Sequence, residues 1–334
     1  LRVENDSFAK TDRDYSHGMA ISAESQDIKN YLQPECLPLL IRLHSKLSKI
    51  LTPNFWVSSE KTVKSHSVVV KLGQSIFTPG DSTARDLILN DRPYAGLIYA
   101  GISQHQRYKI PQMDLEILDT SEITFGIIGP WSFAKEFQDV VHDLIGDERF
   151  QGWGHQLNNE PALQVALDKK IKGYRGDEYT TSDFSYDFIN FLGLKLGNIE
   201  TSANLGIEGR IGWNLPNDFG GFTIRPGTES RSPAVRPNNN IASSPTPSPR
   251  SGIYLFSILE LKLVGYDFSL DGNLFSSSHH VTRQPLVTLS AIGLSFPTIM
   301  KQHSYNLTIM NVYKSSEFKE RPSHHAYRSI GLSI

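Results

Sequence analysis

A histidine that could act as a general base, His142, stands four residues after Gln138 in the stretch 129–159. Pro130 or Ser132 can start a helix there and Gly146 can end it. Gln138 and His142 would then share one face of that helix. Phe133, Phe137, Val140, Val141 and Leu144 are expected to form its buried stripe. Glu148 follows just past the expected C-terminus. The other candidates come from the start of the chain. Asn5 and Asp6 close one expected strand and Ser16 opens the next, so a hairpin can bring Ser16 beside Asp6. Asp6 and Glu148 are hard oxygen ligands from distant parts of the chain, of the kind that suits Ca²⁺. Singly these are weak signals. A lone helix histidine is more often structural than catalytic, and Asn-Asp at a strand end is ordinary turn chemistry.

The elements that must position these residues are strands. Strict apolar/polar alternation recurs along the chain. Ala203, Leu205, Ile207, Ile211 and Trp213 alternate with Ser202, Asn204, Glu208 and Arg210. Phe184, Tyr186, Phe188, Leu192, Leu194 and Leu196 alternate with Ser185, Asp187 and Lys195. About twelve such segments stand out, near 1–6, 15–24, 67–77, 94–106, 114–128, 160–171, 184–196, 202–213, 252–266, 285–296, 302–314 and 325–334. Many are longer than the globular mode of about 5–6 residues. That length, with a polar second face, favours an all-β fold: an antiparallel transmembrane β-barrel in one domain, 1–334, with a helical extracellular loop. A soluble β-sandwich, whose strands also alternate, is the rival. Tyr99, Trp213, Tyr254, Tyr305 and Tyr313 near strand ends are expected to form interfacial girdles.

Two segments break the rhythm. Residues 26–66 read as an insertion on the periplasmic side. Within it an amphipathic helix is expected over 37–51, with Leu40, Leu43, Leu47 and Ile50 on one face, packing across the barrel's inner mouth. Residues 214–251 run into a Pro/Ser-rich stretch and read as a periplasmic connection. If Leu1 enters from the periplasm, the loops 7–14, 78–93, 129–159, 197–201, 267–284 and 315–324 face outward.

Composition narrows the classes. The chain has 334 residues and a net charge of −2, which argues against a general nucleic-acid binder. No apolar run reaches the roughly 18 residues of a transmembrane helix, which leaves barrels untouched. Cys36 is the one cysteine, so no internal disulfide can form, and it reads as an incidental residue. The chain starts within a strand and ends at Ile334 without a terminal aromatic, as expected of an exported chain with its ends trimmed.

Short motifs then occur in a fixed order. Val3-Glu-Asn-Asp-Ser-Phe8 leads through Thr11-Asp-Arg-Asp-Tyr15 to Ser16-His-Gly18, then Gln74 to Pro79 and Asp91-Arg-Pro-Tyr-Ala-Gly96. Gly126-Ile-Ile-Gly-Pro130, Glu136-Phe-Gln138, His142, Gly152-Trp153, Gln156 and Asn159-Glu-Pro161 follow, then Leu270-Asp-Gly-Asn273 and Glu317-Phe-Lys319. This set, spread over almost the whole chain, resembles the outer-membrane lipid A deacylases, the lipid A 3′-O-deacylase family. The resemblance implies a twelve-stranded barrel in the bacterial outer membrane with a calcium-dependent esterase site at its extracellular end. It places Asn5, Asp6, Ser16, Gln138, His142 and Glu148 on the family's active-site positions. The chain departs from the pattern in its second outer loop. The family's functional lysine has no counterpart between Thr78 and Asp91, and Arg85 is the nearest cation.

The chemistry implied is hydrolysis of an acyl ester of lipid A. His142 takes a proton from water, and Ca²⁺ held by Asp6 and Glu148 polarises the carbonyl. Gln138 or Asn5 positions water or donates to the oxyanion, and Ser16 completes the hydrogen bonding. Ser16 as a nucleophile with His142 as its base is the runner-up. Lys10, Arg13, Arg85, Arg92, Lys135 and Arg149 are loop cations that could meet the lipid's phosphates, although most read as ordinary solvated charges. A monomer is expected. The rival functions are a phospholipase-like barrel and a non-catalytic structural or pore barrel.

Overall fold

The computed structural model describes residues 2–5, 14–25, 62–173, 184–220, 251–300, 303–320 and 325–333. For 2–5 and 14–17 it describes the backbone alone. Asp6, the expected helix over 37–51 and residues 221–250 lie outside the described residues.

Alternation produces twelve strands: β1 (Arg2–Asn5), β2 (Asp14–Glu24), β3 (Thr62–Thr78), β4 (Ala95–Ile110), β5 (Leu115–Ile128), β6 (Glu160–Gly173), β7 (Phe184–Gly197), β8 (Glu200–Trp213), β9 (Ile253–Asp267), β10 (Leu286–Met300), β11 (His303–Lys314) and β12 (His325–Ser333). Each pairs antiparallel with its neighbours in sequence, and β1 pairs with β12 through Arg2 opposite Gly331, so the sheet closes on itself. Closure leaves no strand edge unpaired. β6 has 14 residues. At about 3.3 Å per residue and a tilt near 40° such a strand rises about 35 Å, enough for a hydrocarbon layer of about 30 Å.

Side-chain burial is inverted relative to a soluble protein. On β7 the exposed positions are Phe184, Tyr186, Phe188, Leu192, Leu194 and Leu196, while Asp187 and Lys195 point into the lumen. On β9 Leu255, Leu259, Leu261 and Leu263 are exposed, and Glu260 and Lys262 are buried. A β-sandwich would bury its apolar face between two sheets. Here the apolar face points outward and the ion pairs face inward, which decides for a membrane barrel. The lumen is laced by Lys71 with Glu122, Arg107 with Glu116 (2.6 Å), Lys195 with Glu200 (3.0 Å) and Lys262 with Glu200 (3.2 Å).

The connection after β8 begins inside the barrel. Phe219 is fully buried beneath Arg107 and Lys172, whose charges lie 5.3 and 4.8 Å from the ring centre. Lys170 donates to the Phe219 carbonyl at 3.0 Å, and Arg210 binds both Asp187 and Asp218. The sequence expected a plain connection at 214–220; these residues instead fold back as a plug. The expected girdle also needs correction. Trp213 and Tyr313 are exposed and Tyr305 partly so, but Tyr99 and Tyr254 are buried, because strand parity turns them into the lumen.

Replacing Arg210 by Met leaves Asp187 and Asp218 buried without their cation. Guanidinium unfolding in detergent is expected to show a loss of about 3–5 kcal/mol. An unchanged midpoint would show that the lumen is wet enough to solvate both carboxylates.

Candidate active site

The long loop between β5 and β6 is folded by its backbone chemistry. Gly129 has φ +94°, and a Cβ there would stand 2.5 Å from the Asn158 carbonyl oxygen, so the chain needs glycine at this crossing. Pro130 starts a short 3-10 turn, and the Ser132 hydroxyl donates back to the Gly129 carbonyl at 2.6 Å. Phe133, in the left-handed region at φ 55°, joins this turn to helix α1 (Ala134–Ile145). A bulky residue in that region is strained, so the join is held by its surroundings. Gly146, also left-handed, ends the helix by donating its N–H to the His142 carbonyl at 2.8 Å. The expected stop is found at Gly146, while the helix starts at Ala134, just after the turn that Pro130 opens.

α1 docks on the outside of the barrel. On β3 the exposed residues Val70 and Leu72 mark the outward face, so Gln74 and Ile76 point outward too. On β4 the exposed Ile98 puts Gly96 on that same face, directly opposite Ile76. Both positions lie beneath the loop. Ile76 packs with Tyr94, Ala134, Phe150 and Trp153, and Gln74 Nε2 donates to the Ser132 carbonyl at 2.6 Å. A Cβ on Gly96 would lie 2.2 Å from Ser132 Oγ and 2.3 Å from Ala134 Cβ, so glycine there lets the helix reach the wall.

The helix turns its polar pair inward. Gln138 and His142 are each 3% exposed. The expected buried stripe is corrected: Phe133, Val140 and Leu144 are exposed, Phe137 and Val141 only partly covered. The physical reason is the surface on which the helix packs. Docked on an outward wall, it hides the residues that face the wall, not its most apolar ones.

The geometry sets the state of both buried side chains. His142 Nδ1 lies 2.6 Å from the Glu148 backbone carbonyl. A carbonyl can only accept, so Nδ1 carries a proton and Nε2 is the nitrogen left to act as a base. Phe150 stands edge-on to the imidazole at 5.7 Å. Trp153 Nε1 donates to Gln138 Oε1 at 2.9 Å. Indole is donor-only, so the amide oxygen must face it. Gln138 Nε2 is buried without a hydrogen-bond partner among the described residues. Tyr94 packs 5.0 Å from Trp153, and burial pushes its hydroxyl up to about 12, so it stays a neutral phenol.

Glu148 takes part through its main chain, while its side chain is exposed and makes no ion pair among the described residues. Asn5 and Ser16 enter by register. Asn5 sits opposite His17, and His17 opposite Ile76, so β1, β2, β3 and β4 form one row ending at Gly96 under α1. Ser16 is the extra residue at a shift in register between Tyr15 and His17, and such bulges re-aim side chains beside active sites. Among the described residues no cluster of three or more His, Cys, Asp or Glu could hold a metal. The calcium pair needs Asp6, outside that set.

Neighbouring loops brace the site. Asn158 N–H donates to Asn273 Oδ1, and Asn273 Nδ2 to the Asn158 carbonyl, each at 2.9 Å. The Glu160 carboxylate accepts from Asn198 and from the Phe275 amide. Arg92, buried, binds Glu317 at 2.8 Å. Burial alone would raise Glu317, but Lys314, Arg92 and Lys262 hold its carboxyl well below the usual range. A lumen cavity lined by Phe77, Tyr99, Glu200, Lys262 and Glu317 lies on the other side of the wall. Its volume of about 40 Å³ has room for about three waters.

Comparison with known proteins bears on the family and the fold. The family model described as "Outer membrane protein LpxR" matches residues 1–334. The chain belongs to the LpxR family. No curated protein matches it in sequence. Among solved structures, LpxR from Salmonella typhimurium is similar in fold, with a TM-score of 0.67 and 16% identity, covering 99% of this chain and 97% of that one. Sequence reasoning missed two contributors, Trp153 and the Glu148 carbonyl. The Gly152-Trp153 motif marked the first without a role; nothing marks the second.

Substituting Gly96→Val should lift α1 from the wall while the barrel persists. Trypsin cleavage after Lys135 or Arg149, both exposed, is expected to speed up about tenfold, the equivalent of about 1.4 kcal/mol of lost docking. Unchanged cleavage with intact heat-modifiable gel mobility would refute the close approach.

Proposed function

We propose that this LpxR-family barrel hydrolyses an acyl ester of lipid A, with His142 Nε2 as the base that activates water. The observation that carries the reading is the hydrogen bond from His142 Nδ1 to the Glu148 carbonyl, because it directs the ring's basic nitrogen away from its own loop. The site lies between α1 and the outer wall, where an ester of a membrane lipid can arrive without entering the lumen. His142 removes a proton from water as the oxygen bonds to the acyl carbon. The buried donor of Gln138 faces the developing oxyanion, held in that orientation by Trp153. His142 then returns the proton to the leaving alkoxide, giving a free fatty acid and an alcohol. Asn5 and Ser16 complete the hydrogen bonding from the strand side.

The donor set fits a hard cation, since the Glu148 carboxylate is exposed and without an ion-pair partner among the described residues. Asp6 and Glu148 are the residues assigned to calcium. When bound, the ion would polarise the acyl carbonyl. The outward orientation of this end is part of the proposal, as is a monomer. Lys135 is tied to Asp139 at 2.8 Å, Arg149 to Asp143, and Arg92 to Glu317. Arg85 is exposed and makes no ion pair among the described residues, so it is the cation assigned to a lipid phosphate. A pore role is disfavoured by the ion pairs and Phe219 that occupy part of the described lumen.

Purified protein incubated with lipopolysaccharide and calcium is expected to release one acyloxyacyl mass from lipid A, read by mass spectrometry. His142→Ala should lower the rate about 10²–10⁴-fold, and chelation of calcium should abolish it. Fatty-acid release from phospholipid instead would move the activity to a phospholipase. No release from either would leave a non-catalytic barrel. An acyl adduct trapped on Ser16 would replace water by Ser16 as the nucleophile.

A further inference from the structure

The outer surface of α1 is the part of the site with no role so far. At about 100° per residue, its side chains divide into three arcs. Ala134, Gln138 and His142 face the wall. Lys135, Asp139 and Asp143 form a charged arc, closed by the Lys135–Asp139 and Asp143–Arg149 pairs, and Glu136 stands at its border with the next arc. Phe133, Phe137, Val140, Val141 and Leu144 form the third arc, on the opposite side from the charges. Phe133 is 62%, Val140 57% and Leu144 80% exposed. In water these residues would be a liability on a helix of 12 residues.

The surroundings say what covers them. The outward face of the barrel directly below is already apolar. Ile98 is the next outward residue below Gly96, on which the helix rests, and Phe125 and Leu163 extend the same surface across β5 and β6. Trp131, 65% exposed, lies where this surface meets the loop. The third arc therefore continues the lipid-facing belt, and the charged arc lies opposite it. An amphipathic helix with this division lies in a membrane interface, apolar arc down and charges up.

We propose that α1 is seated in the outer leaflet, with Phe133, Val140 and Leu144 in the hydrocarbon of the surrounding lipids. The helix is then a depth gauge. Its width, about 10 Å with side chains, places Gln138 and His142 at the boundary between chains and headgroups, the depth of the ester bonds. Substrate slides in sideways along the wall and does not have to be lifted into water. The inference rests on the membrane placement of the barrel, and not on which ester is cut.

Nitroxide labels test it without an activity assay. In a Cys36→Ser background, Val140→Cys, Leu144→Cys and Lys135→Cys are labelled singly, and the protein is reconstituted in phosphatidylcholine–phosphatidylglycerol vesicles. Collision with oxygen, which concentrates in hydrocarbon, is compared with collision with a water-soluble nickel chelate. The ratio of oxygen to nickel is expected to be several-fold higher at 140 and 144 than at 135. Equal ratios at the three sites would put the arc in water and overturn the proposal. Exclusion of both reagents from 140 and 144 would show protein covering the arc, and would overturn it too. Either result leaves the lipid A assay to stand or fall by itself.

Discussion

Hydrocarbon offers no partner to a backbone N–H or C=O, so a sheet that crosses it has to satisfy each strand by its neighbours and close on itself. Everything else in this molecule depends on that closure. Once β1 pairs with β12, each strand residue has two possible directions, lumen or lipid, and parity decides between them. Lys71 and Glu122 become a buried ion pair, while Leu72, one residue along, becomes lipid-facing surface. The same parity puts Gln74, Ile76 and Gly96 on the outer wall and thereby places the site outside the barrel.

The candidate chemistry rests on few atoms. A backbone carbonyl sets the tautomer of His142, and an indole N–H sets the rotation of Gln138. Neither contact depends on a charge, so both persist in a region where water is scarce. The loops around 158, 273 and 317 brace the frame without touching the histidine, which explains why so much of the ordered motif set serves positioning. Asn159 accepts from the Trp131 amide at 2.8 Å, and Asp91 from the Gly80 amide at 2.9 Å.

Much of this was legible in the sequence, for a physical reason. A period of two over ten or more residues leaves little choice but a long strand, and Pro130 with Gly146 bounds a helix by backbone chemistry alone. The misreadings have separate causes. Assigning Phe133, Val140 and Leu144 to a buried stripe takes apolarity as the guide to burial, whereas α1 hides the residues that face the wall. Tyr99 and Tyr254 were assigned to the surface by residue type, where parity governs. The Glu148 carbonyl belongs to the main chain, which has no residue type to read, and the extra residue at Ser16 depends on pairing with a distant strand.

Phe219 has a consequence for the membrane that carries this barrel. A twelve-stranded ring is wide enough to admit small ions, and an open one would leak in proportion to its copy number. Arg107 and Lys172 clasp that ring and Arg210 binds two carboxylates, so the described lumen is narrowed at this level. Each residue packed across the lumen in this way lowers the permeability that one copy of the barrel adds to the envelope.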